Sequence, residues 1–351
     1  MSYARINIEQ MHGYVPGEQP QVPGLIKLNT NENPYPPSPK VIEALRGALD
    51  GRLRLYPDPQ CVTLRQKIGA RYEIDPATIL IGNGGDDILN LCVRAFVGEG
   101  EQLAYFWPSY SLYPVLADIQ GAGKLALPLD DNFQIQIPAT LAGVKLLFIT
   151  QPNAPSGVWL QTEGLQRVIE RCPGVVVIDE AYVDFAKENC LELARRYPNV
   201  LVARTFSKSA ALAGMRLGWV TGSQTLITAL DKVKDSYNVN RLSQLAGEAA
   251  IEDVAYFDET VCKVQATRNR VLIQLRRWGF AAPPSQANFL FAKPPAPLTA
   301  KQWFDGLRER KVLVRWWDAD RIRDYARVTI GTDAEMDRFL AATKEVRSAV
   351  A

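Results

Sequence analysis

The chain has 351 residues, of which 22% are charged, and a net charge of +2. This length favours two domains, because a single core rarely grows beyond about 250–300 residues. The balanced charge gives no bulk electrostatic basis for binding nucleic acid or acidic membranes. The only histidine is His12, and the five cysteines form no CxxC pair. Histidine triads, histidine–metal sites and disulfide frameworks are therefore disfavoured. Without a signal peptide or a membrane-spanning run, we predict a cytoplasmic protein that binds no metal.

The first two thirds of the chain have an α/β pattern. Residues 1–40 are rich in proline, glycine and asparagine and predict an extended arm. Helical patterns follow at 39–50 and 60–72. Short apolar runs then alternate with helical stretches, at residues 79–81, 103–105, 146–149, 175–178, 200–203 and 217–220. Such runs indicate a mostly parallel sheet covered by helices on both faces, and we predict that residues 41–250 form this large domain.

The last third has a different pattern. A long helical region covers residues 223–278, and strand-like runs follow at 288–291, 312–315 and 327–330 before a terminal helix. These elements predict a smaller α+β domain over residues 251–351. We expect the N-terminal arm to pack with this domain and with the active site.

Polar residues follow several predicted strands, at the carboxyl ends where open α/β sheets bind ligands. Residues 82–87 open an amphipathic helix whose N–H groups can hold a phosphate, although, taken alone, the segment is better explained as a plain tight turn before a helix. Asn153 follows the strand at 146–149 in a proline-rich turn. Asp179 and Tyr182 follow the next strand, and a buried acid there calls for a cationic partner.

The most informative segment is Thr205–Arg216, in which Lys208 lies among small and hydroxylated residues. A lysine that attacks a carbonyl group and an acid that pairs with a ring nitrogen are two parts of a site for a pyridine aldehyde cofactor. Hydroxyls and an arginine that bind a phosphate complete such a site. Taken alone, Lys208 is equally well explained as a loop lysine at the surface.

Taken together, these motifs resemble those of the fold-type I pyridoxal-phosphate aminotransferases, and most closely those of the histidinol-phosphate aminotransferase group. The resemblance covers almost the whole chain. It is carried by residues 28–35, 56–59, 82–87, 108–113, 153–157, 179–182, 207–216 and 327–332. The Ser207–Arg216 element is specific for the superfamily. The sequences Asn-Glu-Asn-Pro at 31–34 and Tyr-Pro-Asp-Pro at 56–59 indicate the subgroup.

The resemblance implies pyridoxal 5′-phosphate as the cofactor. Lys208 would bond to the cofactor and later move a proton, for which it must be neutral, as burial beside Arg216 would favour. Asp179 would keep the ring nitrogen protonated. Tyr110 would stack on the ring, while Tyr182 and Asn153 would bind its phenolic oxygen. The residues implied for the cofactor phosphate are Gly84, Gly85, Asp86, Thr205, Ser207, Arg216 and, from the other subunit of a homodimer, Tyr56.

The resemblance also implies transamination between L-histidinol phosphate and 2-oxoglutarate, with imidazole-acetol phosphate and L-glutamate as products, in histidine biosynthesis. Arg327 and Arg315 would bind the substrate phosphate and the glutamate carboxylates. Asn31, Tyr35 and Asn153 would complete the substrate site.

Two positions depart from the pattern of the group. Trp316-Trp317 stands where one aromatic residue is expected, and Gly85 stands where serine or alanine is common. Alternatives with the same scaffold are an aromatic amino acid aminotransferase and a threonine-phosphate decarboxylase. A non-enzymatic ligand-sensing domain is a third. It is disfavoured because no DNA-binding segment precedes the arm and the chain is not basic.

Overall fold

The computed structural model describes residues 3–350. The α-helices are α1 (Ile6–Gln10), α2 (Pro39–Gly47), α3 (Val62–Tyr72), α4 (Gly85–Phe96), α5 (Leu112–Gln120), α6 (Thr162–Arg171), α7 (Leu191–Arg196), α8 (Gln224–Val233), α9 (Arg241–Glu252), α10 (Val254–Arg277), α11 (Ala300–Glu309) and α12 (Asp333–Val350). Short 3-10 helices cover Gly51–Arg54, Pro76–Thr78, Val183–Phe185 and Ala213–Met215. Within residues 3–350, no helix combines the length and apolarity required to cross a membrane.

A seven-stranded sheet forms the centre of the larger unit. Its strands are β2 (Ile79–Gly82), β3 (Gln102–Trp107), β4 (Gly123–Pro128), β5 (Val144–Thr150), β6 (Val175–Asp179), β7 (Val200–Thr205) and β8 (Gly218–Gly222), in the order β2-β8-β7-β6-β5-β3-β4. All neighbours pair in parallel except β8, which is antiparallel to both β7 and β2. The predicted α/β class with a mostly parallel sheet is confirmed.

Both faces of this sheet are buried, which explains the unbroken apolar runs. Along β5, Leu147 and Ile149 pack in one core, whereas Leu146 and Phe148 pack in the core on the opposite face. The sequence patterns missed β4, because most of its side chains are exposed. A strand at the edge of a sheet can remain polar, so it lacks the apolar signal of a central strand.

The second unit contains a three-stranded antiparallel sheet in the order β11 (Arg315–Trp316), β12 (Ala326–Thr329) and β9 (Phe289–Ala292). The predicted strand at 312–315 is interrupted, since β10 (Val312–Leu313) instead pairs in parallel with β1 (Ile26–Lys27) of the arm. Ile26 and Leu28 of the arm belong to the second hydrophobic core. Helix α9 packs in the first core and α10 in the second, but a domain boundary at residue 250 stays a prediction.

Candidate active site

Strands β5, β6 and β7 lie side by side and end at the same edge of the sheet. Asn153 follows β5, Asp179 is the last residue of β6, and the loop after β7 carries Lys208. Parallel pairing therefore brings together three residues that are widely separated in sequence, at the edge where ligands of such sheets bind.

Lys208 has the properties of a reactive amine. Its Nζ donates a hydrogen bond of 3.1 Å to the Thr30 carbonyl oxygen of the arm. Burial lowers the pKa of Lys208 to about 8, and the positive charge of Arg327 acts in the same direction. Arg216 contributes less than Arg327. The charge that favours the neutral form of the amine is therefore mainly that of Arg327. Arg216, which the sequence suggested for this effect, contributes less.

Asp179 is buried, with an exposed fraction of 8%. Burial raises its pKa to about 6, although hydrogen bonds from Tyr113 and from the Ala181 backbone act in the opposite direction. The Tyr113 hydroxyl lies 2.9 Å from Asp179 Oδ2, and Ala181 N lies 3.1 Å from Oδ1. Within residues 3–350, Asp179 forms no ion pair. The cationic partner expected from the sequence is therefore not supplied by the described part of this chain.

Tyr113 is a site residue that the sequence patterns did not reveal. It is fully buried, stacks on Phe148 at 4.6 Å between ring centroids, and lies 2.6 Å from Thr150 Oγ1. Burial raises its pKa well above the usual value for tyrosine. Its partners Phe148 and Asp179 are distant in sequence, so no local pattern indicated this role.

The arm reaches the sheet edge through its asparagines. Asn31 Nδ2 donates a 3.0 Å hydrogen bond to the Tyr182 hydroxyl, and Thr329 Oγ1 donates one of 3.0 Å to Asn31 Oδ1. Asn33 Nδ2 donates to the backbone carbonyl of Lys208 at 3.1 Å. The arm is thereby bound both to the lysine loop and to β12 of the second sheet.

Asn153 is held rigidly in the turn after β5. Its Nδ2 donates to the Pro108 carbonyl at 3.1 Å, and its Oδ1 accepts from Ser156 Oγ at 2.6 Å. An amide nitrogen has two hydrogens, so one of them is still available to a ligand.

An anion cradle lies at the N-terminus of α4. Gly84 caps this helix at φ 97° without a side-chain hydrogen bond, which leaves N–H groups of the first turn free. A Cβ at Gly84 would lie 2.7 Å from Arg216 Nη2, so glycine lets the guanidinium approach the loop. Thr205 Oγ1 lies 3.0 Å from Ser207 Oγ beside this cradle. At Gly85 a Cβ would have its closest contact at 3.8 Å, with Thr205.

Two acids at the cradle have partners of their own. Asp87 Oδ2 accepts from Asn83 N at 2.7 Å, which caps the turn. Asp86 accepts from the Tyr110 hydroxyl at 3.0 Å and lies 3.3 Å from Arg216 Nη2. Asp86 thus joins the predicted stacking residue to the predicted phosphate-binding arginine.

Arg315 and Arg327 lie directly opposite each other on β11 and β12. Neither forms an ion pair with an acidic side chain of residues 3–350. Arg327 donates to the Asn29 carbonyl at 2.9 Å, and its Nε is buried without a partner. Arg315 donates weakly to the carbonyls of Val15 and Pro16 at 3.3 and 3.4 Å. Two guanidinium groups without acidic partners are well suited to an anionic ligand.

Tyr35 and Tyr56 are not held in this group by hydrogen bonds of their side chains. The Tyr35 ring packs beside the second core, 5.4 Å from Lys263 Nζ. Tyr56 is 80% exposed, and its ring stacks on Tyr237 at 4.4 Å. The position of Tyr56 leaves it free to contact another molecule.

Residues 23–342 match the model of the family described as aminotransferase class I and II. The chain belongs to this family. Lys208, Asp179 and the anion cradle therefore occur together in a chain of the expected class.

Curated relatives and a solved structure agree with this assignment. Histidinol-phosphate aminotransferase of Syntrophotalea carbinolica is 45% identical over 99% of this chain and 100% of its own length. The Geobacter sulfurreducens protein of the same name is 46% identical, over 97% and 99%. The crystal structure of histidinol-phosphate aminotransferase from Sinorhizobium meliloti in complex with pyridoxal-5′-phosphate has a TM-score of 0.89 and 26% identity, and covers 100% of this chain and 99% of that one.

Proposed function

We propose that this aminotransferase uses pyridoxal 5′-phosphate to transfer the amino group of L-histidinol phosphate to 2-oxoglutarate, as a step of histidine biosynthesis. One observation carries this proposal: the Lys208 amine, with a lowered pKa, lies close enough to Arg327 to be affected by its charge, and Arg327 has no acidic partner in residues 3–350. The curated relatives with this activity cover nearly the whole chain, which supports the choice of substrate.

The residues present fit the cofactor. An uncapped helix N-terminus, the Thr205 and Ser207 hydroxyls and the Arg216 guanidinium match the donors that a phosphate monoester requires. Asp179, whose pKa is raised by burial, lacks a cation that a protonated ring nitrogen would supply. Tyr110 would cover one face of the ring, and Tyr182 and Asn153 would donate to its phenolic oxygen.

When bound, pyridoxal phosphate supplies an aldehyde that accepts the amino group and a ring that withdraws electrons from the substrate carbon. Lys208 Nζ would take the proton from that carbon as a base and later release it as an acid in the same half-reaction. This transfer requires a neutral amine, and a pKa of about 8 keeps a useful fraction neutral near neutral pH. Asp179 Oδ2 stays ionised more readily because Tyr113 donates to it.

Arg315 and Arg327 give the site its preference for an anion. The phosphate of histidinol phosphate carries close to two negative charges at neutral pH, so it matches two guanidinium groups. The same pair would bind carboxylates of glutamate in the second half-reaction. Asn31 and Tyr35 are proposed to line the substrate end of the site. We also propose that residues 41–250 carry the cofactor and that 251–351 carry these arginines.

We further propose that the active form is a homodimer in which Tyr56 binds the cofactor phosphate of the partner subunit. The exposed ring of Tyr56 belongs to a group of exposed apolar side chains in neighbouring segments, which also includes Leu49, Leu53, Leu55, Val62 and Tyr237. Clustered apolar exposure of this kind is typical of a protein interface.

Steady-state kinetics test the substrate. The protein loaded with pyridoxal phosphate is assayed with histidinol phosphate, phenylalanine or phosphothreonine, each with 2-oxoglutarate as acceptor. We expect histidinol phosphate to have a kcat/KM at least about 100-fold above that of phenylalanine, because a phosphate dianion matches both guanidinium groups, whereas phenylalanine offers only one singly charged carboxylate. A higher kcat/KM with phenylalanine, or carbon dioxide release from phosphothreonine, would replace the proposal with the corresponding alternative.

A further inference from the structure

The pair of tryptophans at 316 and 317 has no role in the function proposed above. Successive residues of a strand point to opposite faces, so Arg315 and Trp316 of β11 lie on opposite faces, and Trp317 directly follows the strand. The contacts agree with this alternation. The Trp316 ring lies 6.2 Å from Phe304 and 5.6 Å from Lys301 Nζ of α11, and its Nε1 donates to the Arg323 carbonyl.

Trp317 lies instead against both arginines of the substrate site. Its ring centroid is 5.3 Å from Cζ of Arg315 and 5.2 Å from Cζ of Arg327. The other side chain stacked on Arg327 is Phe289, at 5.3 Å. Trp317 also packs against the core of the larger unit, so its indole is held in place by residues other than the arginines.

The two arginines need such a neighbour. Like charges directly opposite each other on antiparallel strands destabilise the pairing, and no acidic side chain in residues 3–350 compensates for this pair. Burial lowers the pKa of Arg327, and the charge of Arg315 acts in the same direction. The electron-rich face of an indole attracts a guanidinium without neutralising it. Both cations thus keep their full charge for a ligand, whereas an aspartate at this position would bind the arginines itself.

We propose that Trp317 is a positioning residue that holds Arg315 and Arg327 together as one binding site for a dianionic phosphate group. This inference rests on the proposed function, since it assigns the phosphate of the amino donor to these two arginines. It predicts that Trp317 affects the binding of phosphate-bearing ligands and leaves the chemistry at Lys208 unchanged.

The test compares the holoenzyme with Trp317→Met, Trp317→Phe and the matched control Trp316→Met. Methionine fills space without an aromatic face, phenylalanine retains a weaker one, and the control removes the neighbouring indole from the opposite face. KM and kcat are measured for histidinol phosphate and for L-histidinol, which lacks the phosphate. The dissociation constant of inorganic phosphate is measured by calorimetry on the same proteins, with the folding of each checked by its thermal unfolding.

We expect Trp317→Met to raise the KM for histidinol phosphate and the dissociation constant of inorganic phosphate by about 10-fold. This change is equivalent to about 1.4 kcal/mol, as the loss of two cation–π contacts suggests. The kcat value and the KM for L-histidinol stay within about 2-fold of wild type. For Trp317→Phe we expect values of both constants between those of wild type and Trp317→Met. This variant keeps the test valid if the methionine variant fails to fold. Trp316→Met leaves all of these constants within about 2-fold.

Equal losses for L-histidinol and histidinol phosphate, or equal effects of the Trp316 and Trp317 substitutions, would overturn the inference. Wild-type protein that binds inorganic phosphate but does not turn over histidinol phosphate would instead refute the proposed substrate. In that case the effect of Trp317 on inorganic phosphate still decides whether it organises the arginine pair.

Discussion

The Tyr113 hydroxyl donates a 2.9 Å hydrogen bond to Asp179 Oδ2, and both side chains are buried at the end of β6. This hydrogen bond lowers the pKa of Asp179, while burial raises it to about 6. Tyr113 therefore favours the charged carboxylate that a protonated ring nitrogen requires. The Tyr113 ring also contacts the Tyr110 ring edge-on at 5.7 Å between centroids, so Tyr113 links the acid to the residue proposed to cover the cofactor ring.

Replacing Tyr113 with phenylalanine removes this donor and is expected to raise the pKa of Asp179 further. Asp179 is then neutral up to a higher pH, so the pH below which cofactor binding weakens rises by about one pH unit. This corresponds to the roughly 1.5 kcal/mol of a hydrogen bond to a charged group. The measurement is the cofactor dissociation constant as a function of pH. The control is Tyr105→Phe, because Tyr105 is a neighbouring tyrosine without a side-chain hydrogen bond in residues 3–350. An identical shift of the pH dependence in both variants would contradict the role of Tyr113 at Asp179.

The charge of Arg327 contributes more than that of Arg216 to the lowered pKa of Lys208. Replacing Arg327 with methionine is expected to raise this pKa, and replacing Arg216 should raise it less. The midpoint is read from the pH dependence of reductive methylation of Lys208 in the cofactor-free protein, followed by mass spectrometry of its peptide. A larger shift for Arg216→Met than for Arg327→Met would show that the order of the two charges is wrong.

The proposed homodimer predicts complementation between two defective subunits. Lys208→Ala removes the reactive amine and Tyr56→Ala removes a phosphate ligand of the partner's site, so each homodimer is expected to have little activity. In a mixed dimer one site carries both defects and the other carries neither. Activity should therefore reappear when the two proteins are unfolded and refolded together. If mixing restores nothing although dimers form, Tyr56 does not act across the interface.

Glu180, the residue after Asp179, forms a buried ion pair with Arg204, with side-chain exposures of 0% and 5% and a distance of 2.7 Å. Removing one partner leaves a buried charge without compensation, so Glu180→Gln is expected to lower the free energy of unfolding by about 3–5 kcal/mol. Exposed pairs contribute little, and Lys301→Met at the half-exposed Lys301–Asp305 pair should cost less than about 1 kcal/mol. Denaturant unfolding of the cofactor-free proteins measures both, and equal costs would refute the role of burial.

Much of the fold followed from local pattern. Strands covered on both faces appear as unbroken apolar runs, so β5, β6 and β7 were predictable, and so was the placement of candidate site residues at their ends. The polar edge strand β4 and the antiparallel direction of β8 were not predictable. Exposure erases the apolar signal in the first case, and strand direction depends on distant pairing partners in the second.

The candidate site residues likewise include some that local motifs suggested and others whose roles depend on distant contacts. Lys208, Asp179, Asn153 and Arg216 could be proposed from the sequence, because the order of their motifs resembles that of the aminotransferases. Tyr113 and Trp317 were not assigned roles, since their importance lies in contacts with residues far away in the chain: Tyr113 with Asp179, and Trp317 with Arg327. A local pattern carries no information about such contacts.

The order and spacing of the motifs, together with the near absence of histidine, were sufficient in sequence to indicate a lysine-based cofactor chemistry on an α/β fold. Only the tertiary structure decided that burial and the charge of Arg327 lower the pKa of Lys208, which hydroxyl donates to Asp179, and which indole contacts both arginines. The physical reason is that covalent chemistry depends on residue types. Their pKa values and orientations depend on burial and on through-space charges, which arise only when the chain has folded.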